Sequence, residues 1–157
     1  WEESARVPFL VNVPGVTAPN TKCDGVVNLI DMYPTLLDLC GLPPNPNNDG
    51  RSFAQLLKNP SMEWNYPTLT TYQFKNHSIT DGRYRYTWYG GRADGAEELY
   101  DHDTDPLEHI NLASHPEYKE VIAKLQQHVP THHEPNSPSN PHNALKNSKN
   151  QKRPKPK

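Results

Sequence analysis

Hydrophobic residues fall into short blocks along this chain, and their spacing differs before and after residue 66. Residues 7–15 form a mostly apolar run closed by Pro-Gly, which predicts a strand buried on both faces, as in a parallel sheet. From Asn28 to Gly41 apolar side chains recur at helical spacing between residue types that begin and end helices. The first part of the chain therefore predicts one parallel-type strand and one helix.

The second part of the chain follows the period of antiparallel strands. Residues 67–74 and 76–80 are rich in Thr and Tyr and predict one long strand or two short ones. Residues 83–89 alternate aromatic side chains with Arg and Thr, and residues 97–100 return as a hairpin partner after a glycine-rich loop. Residues 116–129 carry an apolar stripe at helical spacing, which predicts a last helix.

A single parallel strand has no neighbours with which to pair, whereas an antiparallel meander can form a sheet by itself. We therefore expect an α/β fold that is the C-terminal part of a larger protein. Its predicted parts are one parallel-sheet strand with its helix (residues 1–65) and a small antiparallel sheet with a helix (residues 66–130). No internal repeat is visible.

Composition separates a third part from these two. Only 33% of the 157 residues are hydrophobic, with 17 prolines and a mean hydropathy of -0.92. Residues 131–157 lack apolar periodicity and hold six Lys and Arg against Glu134, a net +5, which leaves -7 on the first 130 residues of a total of -2. This segment predicts a disordered basic tail. Because no aromatic residue is interleaved for base stacking, we expect no nucleic-acid partner.

The termini, the apolar runs and the two cysteines are the features of the sequence that bear on compartment and redox state. No signal peptide and no apolar run of membrane-spanning length is present, and the sequence starts at Trp1 rather than Met. Cys23 and Cys40 lie on either side of the predicted helix, whose rise of about 1.5 Å per residue would hold the two thiols apart. Two free, buried thiols are the expectation.

Two clusters of polar residues are candidates for chemistry. One is the acidic stretch from Asp101 to His109, which resembles a set of Ca²⁺ ligands but lacks the glycine and final glutamate of an EF-hand loop. Asp side chains that cap backbone N–H groups explain it better, so a structural turn is predicted. The other is Arg83 and Arg85, which share a strand face and predict a solvated surface or, alternatively, an anion patch.

Four segments occur in the order that sulfatases of the alkaline-phosphatase-like superfamily use, and the chain resembles the C-terminal portion of such an enzyme. They are WEESARVPFLV (1–11), VNLIDMYPTLLDLCG (27–41), DGRS (49–52) and LYDHDTDPLEHINL (99–112). The NHSI sequence at 76–79, ahead of YRY at 84–86, is similar to the branch that holds iduronate-2-sulfatase and bacterial polysaccharide sulfatases.

The resemblance implies an enzyme that hydrolyses sulfate esters, most directly those of sulfated carbohydrate, with a formylglycine nucleophile and a Ca²⁺ ion. Neither Cys23 nor Cys40 stands in the Cys/Ser-x-Pro/Ala-x-Arg context that the modification requires. We therefore expect no catalytic residue and no metal ligand in this chain, and we expect it to need an N-terminal catalytic portion. Comparable sulfatases are periplasmic, extracellular or lysosomal.

Substrate contact is the one site role that the resemblance implies here. The start of the strand near His77 faces the active-site mouth in the family, so His77 and Lys75 are candidate contacts for an anionic substrate. The alternative for His77 is a hydrogen-bonded residue at a strand end. Two other functions stay open: a phosphonate or phosphate monoester hydrolase of the same superfamily, and a non-catalytic binding module that acts through its basic tail.

Overall fold

The computed structural model describes residues 1–90 and 92–133. The predicted tail falls, from residue 134 onward, outside the described residues. The elements follow in this order: α1 (Glu2–Ala5), a 3₁₀ turn (Leu29–Asp31), α2 (Met32–Leu39), α3 (Ala54–Lys58), β1 (Thr68–Thr71), β2 (Asn76–Thr80), β3 (Tyr84–Tyr89), β4 (Glu97–Asp101), a second 3₁₀ turn (Pro116–Tyr118) and α4 (Lys119–Gln126).

The four strands form one antiparallel sheet in the order β1-β2-β3-β4, as the pattern predicts. In its register Leu69 lies opposite Ile79, Ile79 opposite Tyr86, and Tyr86 opposite Leu99, so these four side chains form a row on one face. Leu125 of α4 packs onto this row, and it, Ile79, Tyr86 and Leu99 are fully buried. Strand alternation and the helical stripe thus meet in one core.

The opposite face of the sheet is not a solvated surface, as Arg85 shows. The pattern predicts Arg85 on the face away from the core, but its side chain is only 1% exposed. Glu2 of α1 and Glu108 of the turn after β4 both pair with its guanidinium. Charged partners from distant parts of the chain cover this residue, and strand alternation by itself carries no signal of them.

The helix of the first part has the predicted ends. Asn28 and Asp31 form a reciprocal capping box, in which the Asp31 carboxylate accepts the backbone N–H of Asn28 at 2.8 Å. After α2, Gly41 adopts a φ of +65°, a left-handed conformation that favours glycine, and Leu42 donates its N–H to the Leu37 carbonyl at 2.9 Å. These contacts lie within a few residues of one another, which is why the sequence predicts them well.

The predicted strand at 7–15 does not form. Residues 6–13 have no regular secondary structure, and Leu10 is 89% exposed. The described residues place no other strand alongside this run, so its backbone groups have no ladder to join. The expectation of buried thiols is also wrong, since Cys23 and Cys40 are free but both exposed.

Helix length and composition bear on membrane crossing. Among residues 1–90 and 92–133, every helix falls short of the length and apolar character that spanning a bilayer requires.

Candidate functional site

The predicted site residues lie in the hairpin of β1 and β2, with Lys75 in the turn and His77 in β2, and the turn has a strained backbone. Gln73 and Lys75 both have positive φ angles, 57° and 62°, which are uncommon for residues other than glycine and cost free energy. The turn is held by a hydrogen bond from the Gly90 N–H to the Lys75 carbonyl at 2.9 Å. Its conformation leaves Tyr72 and Phe74 exposed, by 68% and 37%.

His77 lies in β2 on the same face as the buried Ile79, and its side chain is only 4% exposed. The sheet register sets it between Thr71 of β1 and Trp88 of β3. Thr71 Oγ1 lies 3.0 Å from His77 Nδ1, and the imidazole stacks on the Trp88 ring at a centroid distance of 6.1 Å. The pairing of strands, rather than the local sequence, therefore fixes this histidine.

His133 covers the remaining side of His77. Its Nδ1 lies 3.0 Å from His77 Nε2, and the two rings stack with centroids 5.0 Å apart. Trp88 contacts the His133 ring at 5.9 Å, and Phe74 meets it edge-on at 6.3 Å. Both ring nitrogens of His77 are therefore engaged by protein groups.

Burial and a neighbouring imidazole both act on the protonation of His77. Burial, followed by the nearby His133, lowers the pKa of His77 below its ordinary value. A neutral imidazole interacts with an anion through its N–H dipole and not through a full charge. Lys75, whose Nζ lies 5.1 Å from the centre of the Phe74 ring, supplies a positive charge in the same turn.

The structure thus brings both predicted residues to one hairpin but exposes them differently. Lys75 is partly exposed, whereas His77 is buried beneath His133. Contact between either residue and a substrate stays a prediction.

A second polar cluster surrounds Arg85 on the other face of the sheet. Arg85 Nε donates to Glu108 Oε1 at 2.7 Å, and its Nη2 donates to Glu2. His102 Nε2 lies 2.9 Å from the same Glu108 oxygen, and the backbone N–H of Glu2 donates to the other at 3.0 Å. This network joins α1 to the sheet and to the turn that follows β4.

The network resembles a metal site in composition but already contains its cation. One ligand atom from each of Glu2, His102 and Glu108 lies within 4.8 Å of the others. The guanidinium of Arg85 bonds both carboxylates. Although burial opposes ionisation, hydrogen bonds from His102 and from the Glu2 backbone, with the charge of Arg85, hold the pKa of Glu108 below its usual value. These residues therefore fit a buried ion-pair network and do not fit the Ca²⁺ ion that the family resemblance implies.

The acidic stretch after β4 is the predicted structural turn. Asp101 accepts two hydrogen bonds from Arg83, at 3.0 and 2.8 Å, and one from the Asp103 backbone N–H at 3.1 Å. These contacts, with the Arg83 hydrogen bond as the largest cause, lower the pKa of Asp101. Asp105 accepts the backbone N–H of Ile110 at 2.8 Å. The carboxylates stabilise the turn's own backbone and neighbouring strand.

Sequence reasoning missed Glu2, Glu108 and His133 as partners. His133 fell within the predicted disordered tail, although it is a described residue that packs on the sheet. A weak signal was available in the aromatic character of the His132-His133 pair, which begins three residues after Val129, the last apolar residue of the predicted helix.

Comparisons with known proteins agree with the geometry. The family model described as N-sulphoglucosamine sulphohydrolase, C-terminal, matches residues 1–134. A sulfatase of Formosa agariphila is 34% identical over 131 residues, which cover 83% of this chain and 25% of that protein. The delta 4,5-hexuronate-2-O-sulfatase of Bacteroides thetaiotaomicron is 29% identical over 134 residues, covering 79% of this chain and 27% of that protein.

A solved structure gives the same result for the fold. A 2-O GAG sulfatase superimposes with a TM-score of 0.52 and 28% identity, over 62% of this chain and 22% of that one. The chain spans about a quarter of the length of the curated relatives it matches.

Proposed function

This chain belongs to the family of N-sulphoglucosamine sulphohydrolase C-terminal domains, and from that premise we propose that it is the C-terminal part of a sulfatase acting on sulfated carbohydrate. The relatives support this substrate class, because one is a hexuronate sulfatase and another a GAG sulfatase by name. The relatives are named for sulfatase activity, so neither a phosphate monoester hydrolase nor a non-catalytic binding module is favoured over it.

One observation supports the proposal that this chain packs against a catalytic portion of the same protein: the exposed apolar surface of residues 1–65. Leu10 is 89% exposed, and Leu29, Tyr33 and Leu36 of the helix region are each exposed by more than half. An apolar surface on this scale marks an interface. In the proposal, an N-terminal catalytic portion covers it and supplies the strands with which residues 7–13 would pair.

In this proposal the reactive groups belong to the N-terminal catalytic portion and not to this chain. Cys23 and Cys40 lack the sequence context for formylglycine, and the carboxylates gathered at the sheet are bonded to Arg85. We assign the formylglycine and the Ca²⁺ ion of the proposed enzyme to its N-terminal portion. The residues of this chain then bind and orient the carbohydrate.

The β1–β2 turn is the proposed point of contact. It combines a left-handed backbone at two residues that are not glycine with exposed aromatic rings and the charge of Lys75. Aromatic faces pack against the C–H surface of a pyranose ring, and an ammonium group attracts sulfate. His77 supports the turn from beneath through Thr71 and Trp88.

Sulfate release by the complete protein tests this proposal. We expect Lys75→Ala to lower kcat/KM for a sulfated oligosaccharide about fivefold, since an exposed ion pair contributes about 1 kcal/mol. Turnover of a small aryl sulfate, which does not reach the turn, should change less than about twofold. Lys58→Ala, at an exposed position on α3, is the matched control.

Two results would count against the proposal in different ways. Equal losses on both substrates would remove the turn from the saccharide-contacting surface. No sulfate release from any sulfated oligosaccharide or aryl sulfate would overturn the sulfatase assignment itself.

A further inference from the structure

We infer that His133 is the imidazole of this chain that contacts an anionic group of the saccharide, and that His77 is the residue that positions it. This inference rests on the proposed function and names a substrate contact within it. It differs from the sequence-based prediction, in which His77 is itself a candidate substrate contact and His133 has no assigned role.

His77 has no capacity left for a ligand in the described structure. Its Nδ1 is engaged by Thr71 Oγ1 and its Nε2 by His133 Nδ1, each at 3.0 Å. With a side chain only 4% exposed and stacked on Trp88, it has no open ring atom to offer. A residue held on all sides in this way orients its neighbours.

His133 has the opposite properties. It is partly exposed, and the hydrogen bond that it makes to the sheet uses its Nδ1 and not its Nε2. Contacts with His77, Trp88 and Phe74 fix the plane of its ring. A ring held in place in this way loses little conformational entropy when a ligand binds at its other nitrogen.

The hydrogen-bond chain allows His133 to carry a positive charge without rearrangement. When His77 Nδ1–H donates to Thr71 Oγ1, His77 Nε2 is free to accept the Nδ1–H of His133. A proton added at Nε2 of His133 leaves both of these hydrogen bonds intact and turns that nitrogen into a donor. Such a charged donor matches a sulfate or carboxylate oxygen.

The surroundings of His133 favour an acidic sugar. Phe74 contacts both the His133 ring and the Lys75 ammonium group, so an imidazole and an ammonium group flank one aromatic ring. Tyr72, in the same turn, is 68% exposed. The aromatic rings, the imidazole and the ammonium group together match a saccharide that bears sulfate groups.

Binding of a heparin-derived tetrasaccharide to the complete protein, measured by titration calorimetry, tests the inference. We expect His133→Ala to weaken binding about tenfold, because a hydrogen bond between charged groups is lost. His128→Ala is the matched control, since His128 is an exposed histidine just beyond α4, and it should leave the affinity unchanged.

The positioning role of His77 requires a separate measurement. His77→Gln keeps an amide group where Nε2 lies and should retain most of the affinity, whereas His77→Ala should lose about as much as His133→Ala. The imidazole resonances of His133 should shift on tetrasaccharide addition in the wild type and in His77→Gln, but not in His77→Ala. A purely structural role for His77 would instead lower thermal stability and affinity alike in both variants.

Unchanged affinity in His133→Ala would overturn the inference while leaving the sulfatase proposal in place. Absence of sulfate release, with the His133 effect on tetrasaccharide binding retained, would overturn the proposed function and keep the binding site.

Discussion

The sheet region and the region before it differ in how much of their hydrophobic surface they cover. In the sheet region, strands β1 to β4 and helix α4 bury Ile79, Tyr86, Leu99 and Leu125 completely. In residues 1–65 the predicted strand stays unpaired, and Leu10 is 89% exposed. The sheet region contains the partners for its own strands, whereas residues 1–65 do not contain a strand partner for the run at 7–13.

This difference shows which kinds of structure a segment determines by itself. Antiparallel neighbours are joined by short turns, so a meander completes its hydrogen-bond ladders locally. A parallel strand depends on partners separated from it by long connections, and the described residues supply none beside residues 7–13. Parts of residues 1–65 are held by contacts with one another, as where the Phe53 N–H donates to Thr35 Oγ1 at 3.0 Å. Other parts are held against the sheet, as where Asn28 donates to the Leu69 carbonyl at 2.6 Å.

Truncating one leucine in each region should give the largest contrast. Leu99→Ala removes a fully buried side chain and should lower the free energy of unfolding by about 3 kcal/mol. In this chain by itself, without the N-terminal portion proposed to cover Leu10, Leu10→Ala removes a mostly exposed side chain and should change the free energy of unfolding by less than about 0.5 kcal/mol. Urea unfolding followed by tryptophan fluorescence measures both.

A large loss of stability in Leu10→Ala, comparable to that in Leu99→Ala, would contradict this contrast. It would show that residues 7–13 are already covered within this chain, without an N-terminal portion, and the comparison between the two regions would fail.

Removing one carboxylate from the network that joins the two regions should have a smaller effect. Glu108→Ala leaves the buried Arg85 with Glu2 as its remaining acidic partner, and we expect a loss of about 2 kcal/mol. Hydrogen exchange should accelerate at residues 2–6, because Glu108 also accepts the Glu2 backbone N–H. The strands should keep their protection.

The control for this variant is Glu117→Ala, whose side chain is 64% exposed. It should leave stability and exchange unchanged. If exchange at residues 2–6 were the same in Glu108→Ala and in the wild type, the network would not be what holds α1 on the sheet.

The sequence predicts well what short-range contacts determine. Asn28 and Gly41 mark the ends of the predicted helix because a cap lies next to the residues it caps. The aromatic alternation at 84–88 also identifies β3 and its buried face. These features need no knowledge of distant partners.

The candidate site was less predictable because its partners are remote in sequence. His77 meets His133 across 56 positions, and Arg85 meets Glu2 across 83. Neither the period of a strand nor the type of a single residue carries this information. The prediction therefore found the correct hairpin but left His133 in the tail and Arg85 on a solvated face.

Acid should produce the smallest effect, confined to the sheet region. Burial and the nearby His133 lower the pKa of His77 below 6.5, so the unfolded chain binds a proton here more readily than the folded one. Stability is therefore full above about pH 6.5 and is lost as the pH falls through the lower folded pKa, by at most about 1.4 kcal/mol per unit. The groups that face His77 are the uncharged Thr71 and Trp88 and the imidazole of His133, and Lys75 lies in the adjoining turn. Urea midpoints at two pH values, one on each side of 6.5, should differ more in the wild type than in His77→Gln, which cannot titrate here. Equal pH dependence in both proteins would show that His77 is as easily protonated in the folded sheet as in the unfolded chain. The acid effect would then not be a property that sets the sheet region apart from residues 1–65.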